Sequence, residues 1–313
     1  MGRRLRSSGR VVDGVIVLDK PLGWTSNHAV QRVKRLFNAR KVGHTGTLDQ
    51  RATGVLPLCF GEATKFSQYS LNANKTYEVG VQLGVATDTG DADGTVTARK
   101  AVPQLGRSQI EDVLESFRGE IDQIPSMYSA IKRDGQRLYK LARQGIEVER
   151  AARRITIYRN ELKQFEGNSF ELAVECTKGT YIRTLVADIG DAIGCGAHVS
   201  KLDRLQVGHF RKRDCVTFKH LVEAKNNCQI DEFLRPVSSM VEGWLDIKLP
   251  RPTAYLVRQG QAVPVPPCSP TRGWVRLLEE RADGEFNFLG IGEIESGHVA
   301  PRRLVASNHS PSH

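Results

Sequence analysis

The chain has 313 residues with 45 Lys and Arg against 35 Asp and Glu, a formal net charge of +10, which is long enough for about two domains with real cores. The basic excess favours a polyanionic partner, because each phosphate contact made by Lys or Arg releases condensed counterions, and it leaves RNA, DNA and acidic membrane open. Six cysteines without a C-x-x-C pair suggest neither a zinc site nor a small disulfide framework, and with no apolar h-region and no apolar run near about 18 residues, neither a signal peptide nor a membrane span is expected.

In chain order, the apolar run from Val11 to Leu18 predicts a buried strand. Lys20-Pro21-Leu22-Gly23 breaks it, and Ser26 is placed to cap a helix whose core face carries Val30, Val33, Leu36 and Phe37. Residues 41–53, with Gly43 and Gly46 among small polar side chains, predict an ordered loop, and residues 54–60 return to the core. Alternation at Tyr77, Val79, Val81 and Leu83, followed by an Asp93-Gly94 turn signal and Thr95-Val96-Thr97, predicts a β-hairpin. Between Ser129 and Arg159 nine Lys or Arg stand against three acids, the character of a basic insertion. Phe170, Leu172, Val174 and Cys176 alternate as a strand. After Gly179 the spacing of Ile182, Leu185, Val186 and Ile189 turns helical and stops at Gly194, before a further strand over 197–205. A break at Leu249-Pro250-Arg251-Pro252 precedes strand-like runs at 274–278 and 286–291, which predict a small β-rich domain, and the polar tail after Val305 predicts disorder.

Two stretches have the composition of a site. Gly43-His44-Thr45-Gly46-Thr47-Leu48-Asp49 sets a carboxylate in a glycine-rich loop before an apolar strand, where backbone approaches a ligand closely; from spacing alone, the commoner role for such an Asp is to cap a turn. Lys178-Gly179-Thr180-Tyr181-Ile182-Arg183 lies where a strand passes into a helix. Its Arg183 either projects into a cleft shared with Asp49 or is a surface arginine beside a core tyrosine. Asp88, Asp91, Asp93 and Gly94 share features of a calcium loop, but Thr89 occupies the first ligand position and Lys100 stands where the bidentate Glu belongs. A polar hairpin end is therefore the reading there, with no metal.

Asp19-Lys20-Pro21, Gly46-Thr47-Leu48-Asp49, Ala52-Thr53-Gly54-Val55-Leu56, Lys75-Thr76-Tyr77 and Gly179-Thr180-Tyr181-Ile182-Arg183 together resemble, in order, the TruB family of tRNA pseudouridine synthases. Ala197-His198-Val199 with Leu202 and Arg204 resembles that family's last core motif, and the C-terminal part is similar to a PUA-like domain. The resemblance implies an α/β fold of the α+β type: a mixed, largely antiparallel sheet with a central RNA cleft over 11–248, a basic insertion at about 120–155, a PUA-like domain over 249–306, and flexible tails at 1–10 and 307–313. It also implies that Asp49 is the catalytic aspartate, that Tyr77 stacks on the target base and acts in proton removal, and that Arg183 pairs with the aspartate. Tyr181 and Leu202 line the uridine pocket, and His44 enters the space left by the flipped nucleotide. Lys20, Lys132, Arg133, Arg137 and Arg211 are candidates for contact with the RNA backbone. Two positions depart from the family pattern: Gln50, where Pro is common, and Asp203, where Arg is common.

The implied reaction breaks the N1–C1′ bond, turns the uracil, joins C5 to C1′ and releases the C5 proton, so no cofactor is expected. A carboxylate serves either by covalent attack or by stabilising positive charge at the ribose. A uridine stacked in a loop must first be extruded, with an aromatic platform replacing the lost stacking. The expectation is a cytoplasmic, monomeric isomerase acting on uridine 55 in the T-loop of tRNA, with no guide RNA and no membrane. The alternatives are a tRNA-binding or folding protein that does not need catalysis, and a guide-RNA-dependent synthase.

Overall fold

The apolar run at Gly14–Lys20 forms strand β1, and both of its faces are buried: Ile16 and Leu18 enter one core, Val15 and Val17 another. Burial on both sides is why the sequence shows a continuous apolar run there and no alternation. The computed structural model describes residues 9–129, 131–133, 135–266 and 269–306. Cys268, the tail at 307–313 and most of that at 1–10 lie outside the described residues. Arg10 is docked, its guanidinium 2.5 Å from Asp231.

After β1 come α1 (Ser26–Leu36), β2 (Val42–His44), β3 (Ala52–Phe60), α2 (Ser67–Leu71), β4 (Lys75–Leu83), β5 (Val85–Thr87), β6 (Val96–Arg99), α3 (Arg107–Glu115) and β7 (Gly119–Gln123). The chain continues through β8 (Lys132–Arg133), β9 (Gln136–Arg137), α4 (Leu138–Ala142), β10 (Arg153–Glu166), β11 (Ser169–Cys176), α5 (Ile182–Ile193), β12 (Ala197–Val207), β13 (Phe210–Arg211), β14 (Val216–Thr217) and α6 (Phe218–Asn226). Then follow β15 (Leu245–Leu249), α7 (Arg251–Arg258), β16 (Val263–Pro264), β17 (Arg272–Glu280), β18 (Phe286–Glu295) and β19 (His298–Leu304).

The large sheet has the order β14-β1-β3-β12-β4-β11-β10-β7, with β2 on β3 and β13 on β12. Only β1 with β14 and β12 with β3 run parallel, so the sheet is mixed and largely antiparallel, as expected. Val33, Leu114, Leu185, Ile189 and Leu221 from four helices pack with Leu56, Val79, Val81 and Leu172 of the sheet in one core. In the second core β1 and β3 meet Phe66, Phe210, Met240 and Ile291.

A five-stranded sheet, β15-β17-β18-β19-β16, has its own core of Ile247, Leu249, Val257, Val275, Leu277, Ile294 and Val299. It starts at Leu245, inside the segment that the sequence reading gives to the first domain. Leu245–Leu249 pairs in parallel with β17 and buries only Ile247 and Leu249, so the break at Pro250 ends a strand of the second sheet. The second sheet packs on the short 3-10 helix Gly61–Phe66 that follows β3: the rings of Phe66 and Phe288 have centroids 5.6 Å apart, and Lys65 Nζ donates to Leu304 O at 3.2 Å.

Several local expectations change. Thr25, not Ser26, caps α1, its Oγ1 accepting from His28 N at 3.1 Å; Ser26 points inward. The Asp93-Gly94 turn joins β5 to β6, whereas the strand containing Tyr77 stays in the large sheet between β11 and β12. The loop expected over 41–53 contains the short strand β2. Both ends of the basic insertion are sheet strands, Gly119–Gln123 pairing with Arg153–Ile157, because Ile155 and Ile157 turn into the core. The excursion itself is confined to 124–152. Gly194 ends α5 at φ 93°, the left-handed conformation that a side chain resists.

Candidate active site

Asp49 lies on the loop between β2 and β3, and three groups fix that loop. Ser26 Oγ, on α1, accepts from Leu48 N at 2.8 Å and donates to Leu48 O at 3.1 Å. Gln50 O accepts from Gly23 N at 3.0 Å, so at this departure from the family pattern the loop is tied by its backbone. Arg204, on β12, donates through Nη2 to Gly46 O at 3.2 Å, through Nη1 to Thr47 O at 3.4 Å and through Nε to Val55 O at 2.8 Å. The close pairing of β3 with β12 behind this arrangement requires Gly54, where a Cβ would lie 2.3 Å from Arg204 O.

Arg183 stands in the first turn of α5, next to Tyr181, whose backbone is clamped by the Gln123 amide at 2.8 and 3.1 Å. Its Nε lies 2.9 Å from Asp49 Oδ2. Nη1 donates to Thr89 O at 2.6 Å and faces Asp91 Oδ2 at 3.4 Å, and Nη2 donates to Tyr128 O at 3.0 Å. The arginine side chain is 10% exposed and that of Asp49 42%, so the guanidinium is immobilised while the carboxylate keeps an accessible face. Asp91 is therefore more than part of a polar hairpin end: it is the second carboxylate on the arginine that faces Asp49.

Asp49, Arg183, Tyr77, Tyr181, Leu202 and Leu48 line one cleft together with Lys75, Lys178 and Arg204. Its volume of about 280 Å³ is near the lower end for small-molecule pockets, a size for one nucleoside and not for a stacked run of bases. Burial pushes the Tyr77 phenol up to about 12, against the pull of the Arg204 guanidinium, which faces it across the β4–β12 pairing. Lys75 donates to Leu71 O and Ala73 O at 2.7 and 2.5 Å, and burial, with Arg204 adding repulsion, lowers its ammonium to about 8. Burial also raises the Tyr181 phenol.

The remaining sequence candidates are dispersed. His44 stands outside the residues that line the cleft, at the start of the loop, where its Nδ1 accepts from Gly46 N at 3.3 Å; burial, then Arg204, lowers its pKa. Lys20 cannot contact an RNA backbone as expected: it is fully buried, and its ammonium donates to Pro21 O at 3.0 Å and Trp24 O at 2.6 Å. Burial lowers it to about 8. Lys132, Arg133 and Arg137 are exposed on the β8–β9 hairpin, which is followed by Tyr139, whose N donates to Ser129 O at 3.1 Å; Ser129 lines the cleft. Arg211 is exposed on β13. Asp203, the second departure, accepts from Thr53 Oγ1 at 2.8 Å and Lys212 Nζ at 2.9 Å. Sequence reasoning missed Ser26, Asp91 and Arg204 as parts of the site. Arg204 was detectable, since it stands two residues beyond Leu202 and so shares its face of a strand. Among the described residues, no group of three or more His, Cys, Asp or Glu is set to hold a metal ion.

The mixed sheet with this cleft is the pseudouridine synthase fold. Two solved structures share it. One, a Cbf5-Nop10-Gar1 complex, aligns at TM-score 0.68 and 28% identity over 90% of this chain and 79% of that chain. The other, an H/ACA RNP bound to a substrate RNA containing 2′-deoxyuridine, aligns at TM-score 0.71 over 98% and 92%, with 24% identity, a likeness of fold alone.

At the level of sequence, the model of the TruB family pseudouridylate synthase N-terminal domain matches residues 34–182. The tRNA pseudouridylate synthase B C-terminal domain matches 183–242, and the pseudouridine synthase II TruB C-terminal domain matches 246–305. Proteins called tRNA pseudouridine synthase B are similar over nearly their whole length. That of Coxiella burnetii (strain Dugway 5J108-111) is 52% identical over 95% of this chain and 96% of its own. That of Pseudomonas putida (strain GB-1) is 53% identical over 95% and 97%, and that of Yersinia pestis (strain Pestoides F) 50% over 98% and 96%. The chain belongs to the TruB family and is a pseudouridylate synthase.

Proposed function

We propose that this enzyme isomerises uridine 55 in the T-loop of tRNA to pseudouridine, acting on tRNA alone, as a cytoplasmic monomer without cofactor or guide RNA. The carrying observation is the 2.9 Å pair between Asp49 and Arg183 in a cleft that also holds buried Tyr77. Relatives named for tRNA pseudouridine synthesis, at 50–53% identity, support tRNA as the substrate class. Among the described residues, no helix is long and apolar enough to cross a membrane.

The glycosidic bond of a stacked uridine is out of reach, so the nucleotide flips into the cleft and exchanges its neighbours for Tyr77 and Leu202. His44 takes the space it leaves. Asp49 then acts at C1′ as N1–C1′ breaks, by bonding to that carbon or by stabilising its positive charge. The uracil turns, C5 joins C1′, the C5 proton leaves with the help of Tyr77, and N1 gains a proton, so the overall composition is unchanged. Tyr181 closes the pocket beside Arg183. Lys132, Arg133, Arg137 and Arg211 contact phosphates, which orients the T-arm without reading bases. Residues 11–244 carry catalysis and 245–306 a PUA-like RNA-binding module.

The test is tritium release from unmodified tRNA carrying [5-³H]uridine, comparing the native chain, Asp49→Asn, and a tRNA whose T-loop target is replaced. Release that needs both Asp49 and that uridine is expected. Binding without release would transfer the role to RNA folding, and release that appears only with an added guide RNA would overturn stand-alone action.

A further inference from the structure

Arg204 is 1% exposed and donates to three backbone carbonyls, not to a carboxylate; it stands directly across the β12–β4 pairing from Tyr77, with the phenol beside its guanidinium. A cation buried on such terms is costly, so the geometry it maintains must matter. Two of the carbonyls, Gly46 O and Thr47 O, belong to the loop that ends in Asp49. The phenol belongs to β4. The strand bearing Arg204 also supplies Leu202, which lines the same cleft. One side chain thus ties together the loop of the carboxylate, the ring that meets the base and the strand of the pocket leucine.

We propose that Arg204 is a positioning residue for the isomerisation, one that registers the Tyr77 ring against the Gly46–Asp49 loop so that stacking on the base and approach of the carboxylate to the ribose are set together. A clamp of the loop alone would act independently of the Tyr77 hydroxyl. Registration through the phenol makes the two side chains a single unit, whose losses do not add.

This inference rests on the function proposed above, and the experiment separates the two. Single-turnover tritium release and tRNA affinity are measured for the native chain, Asp49→Asn, Arg204→Lys, Tyr77→Phe and the Arg204→Lys/Tyr77→Phe double variant. Lysine keeps the charge but cannot reach the acceptors in one fork, and a misplacement of about 1 Å costs up to ~100-fold in rate. Arg204→Lys is expected to lose about that factor in rate while tRNA affinity stays within about threefold, and the double variant to be no slower than the more severe single one. Multiplicative losses in the double variant, or a native rate in Arg204→Lys, would overturn the proposal. If the lysine variant does not fold, Arg204→Gln carries the same comparison; a chain that folds with neither assigns Arg204 to folding alone and also overturns it. Absent turnover in the native chain, or full turnover in Asp49→Asn, would instead sink the underlying function.

Discussion

Ser26→Ala removes one oxygen atom and tests whether α1 holds the loop that carries Asp49. The hydroxyl is buried and satisfies both the amide and the carbonyl of Leu48, at 2.8 and 3.1 Å. Its loss leaves two buried backbone groups unpaired, at about 1–3 kcal/mol each, offset by roughly 0.5 kcal/mol from the better helix propensity of alanine. Partial relaxation brings the expected loss to about 2 kcal/mol, a fall in Tm of about 4–8 °C for a domain of this size. Leu48 adjoins Asp49, and a shift of about 1 Å in a reacting group costs up to ~100-fold, so single-turnover release should fall at least tenfold with unchanged tRNA affinity. Thr25→Ala is the control: it removes only the cap of α1, costs about 1 kcal/mol and should leave the rate alone. A Ser26→Ala enzyme that melts early but reacts at the native rate would refute the reasoning.

Three further outcomes are expected. Asp91→Ala should cost about 2 kcal/mol in urea unfolding, less than the ~3–5 kcal/mol of an isolated buried pair, since Arg183 keeps Asp49 and two carbonyls; turnover should drop about tenfold, and unchanged turnover would exclude Asp91 from the site. Lys20 and Lys75 titrate at about 8 in the folded chain against 10.5 ordinarily, so between pH 8 and 9 the unfolded chain binds more protons and stability rises, by about 2 kcal/mol for the pair. Inside the same window the buried Cys59, Cys176 and Cys215 thiols, raised from 9.0 to about 12, 11 and 12, act in the opposite direction and offset about 1 kcal/mol, which leaves a net rise of about 1 kcal/mol, and the raised Tyr77 phenol joins them above it. Urea unfolding at pH 7.5, 8 and 9 reads this, Lys20→Met should lower the rise by about 1 kcal/mol, and a profile that this substitution leaves unchanged would contradict it. Neutralising Lys132, Arg133 and Arg137 should flatten the salt dependence of tRNA binding by roughly 0.7–0.9 in log–log slope for each phosphate that is no longer neutralised, and an identical slope would leave them as solvated surface.

What was legible in the sequence was legible for a local reason. Alternation at Tyr77, Val79 and Val81 marks a strand with one face in the core, and Gly194 marks the end of α5. The partners of Tyr77's strand were not legible, because antiparallel pairing over such long separations leaves no local trace: Val81 meets Phe170, 89 residues on, and Val199, 118 residues on. Ser26 misleads for a related reason. Thr25 and Ser26 both suit a cap, and only the loop that packs against α1 decides which hydroxyl turns inward. Asp91 reads as one acid among several near a turn, since its distinction is an arginine 92 positions away in sequence. For Lys20, the motif identifies the position but not the direction of the side chain.

The site combines a rigid loop with a positive interior by one repeated device. Lys20 is held by Pro21 O and Trp24 O, Lys75 by Leu71 O and Ala73 O, and Arg204 by Gly46 O, Thr47 O and Val55 O. Carbonyl dipoles solvate these cations without cancelling their charge, as a carboxylate would. Each cation therefore fixes a turn and still contributes its field to the surroundings of Asp49. The depressed Lys20 and Lys75 values are the measurable cost. Had carboxylates been the partners, the turns would be equally rigid, but the cleft would be near neutral and less able to receive a nucleotide with its phosphates. Of these four cations Arg183 is the one paired with carboxylates, Asp49 and Asp91, and it faces the carboxylate proposed to react.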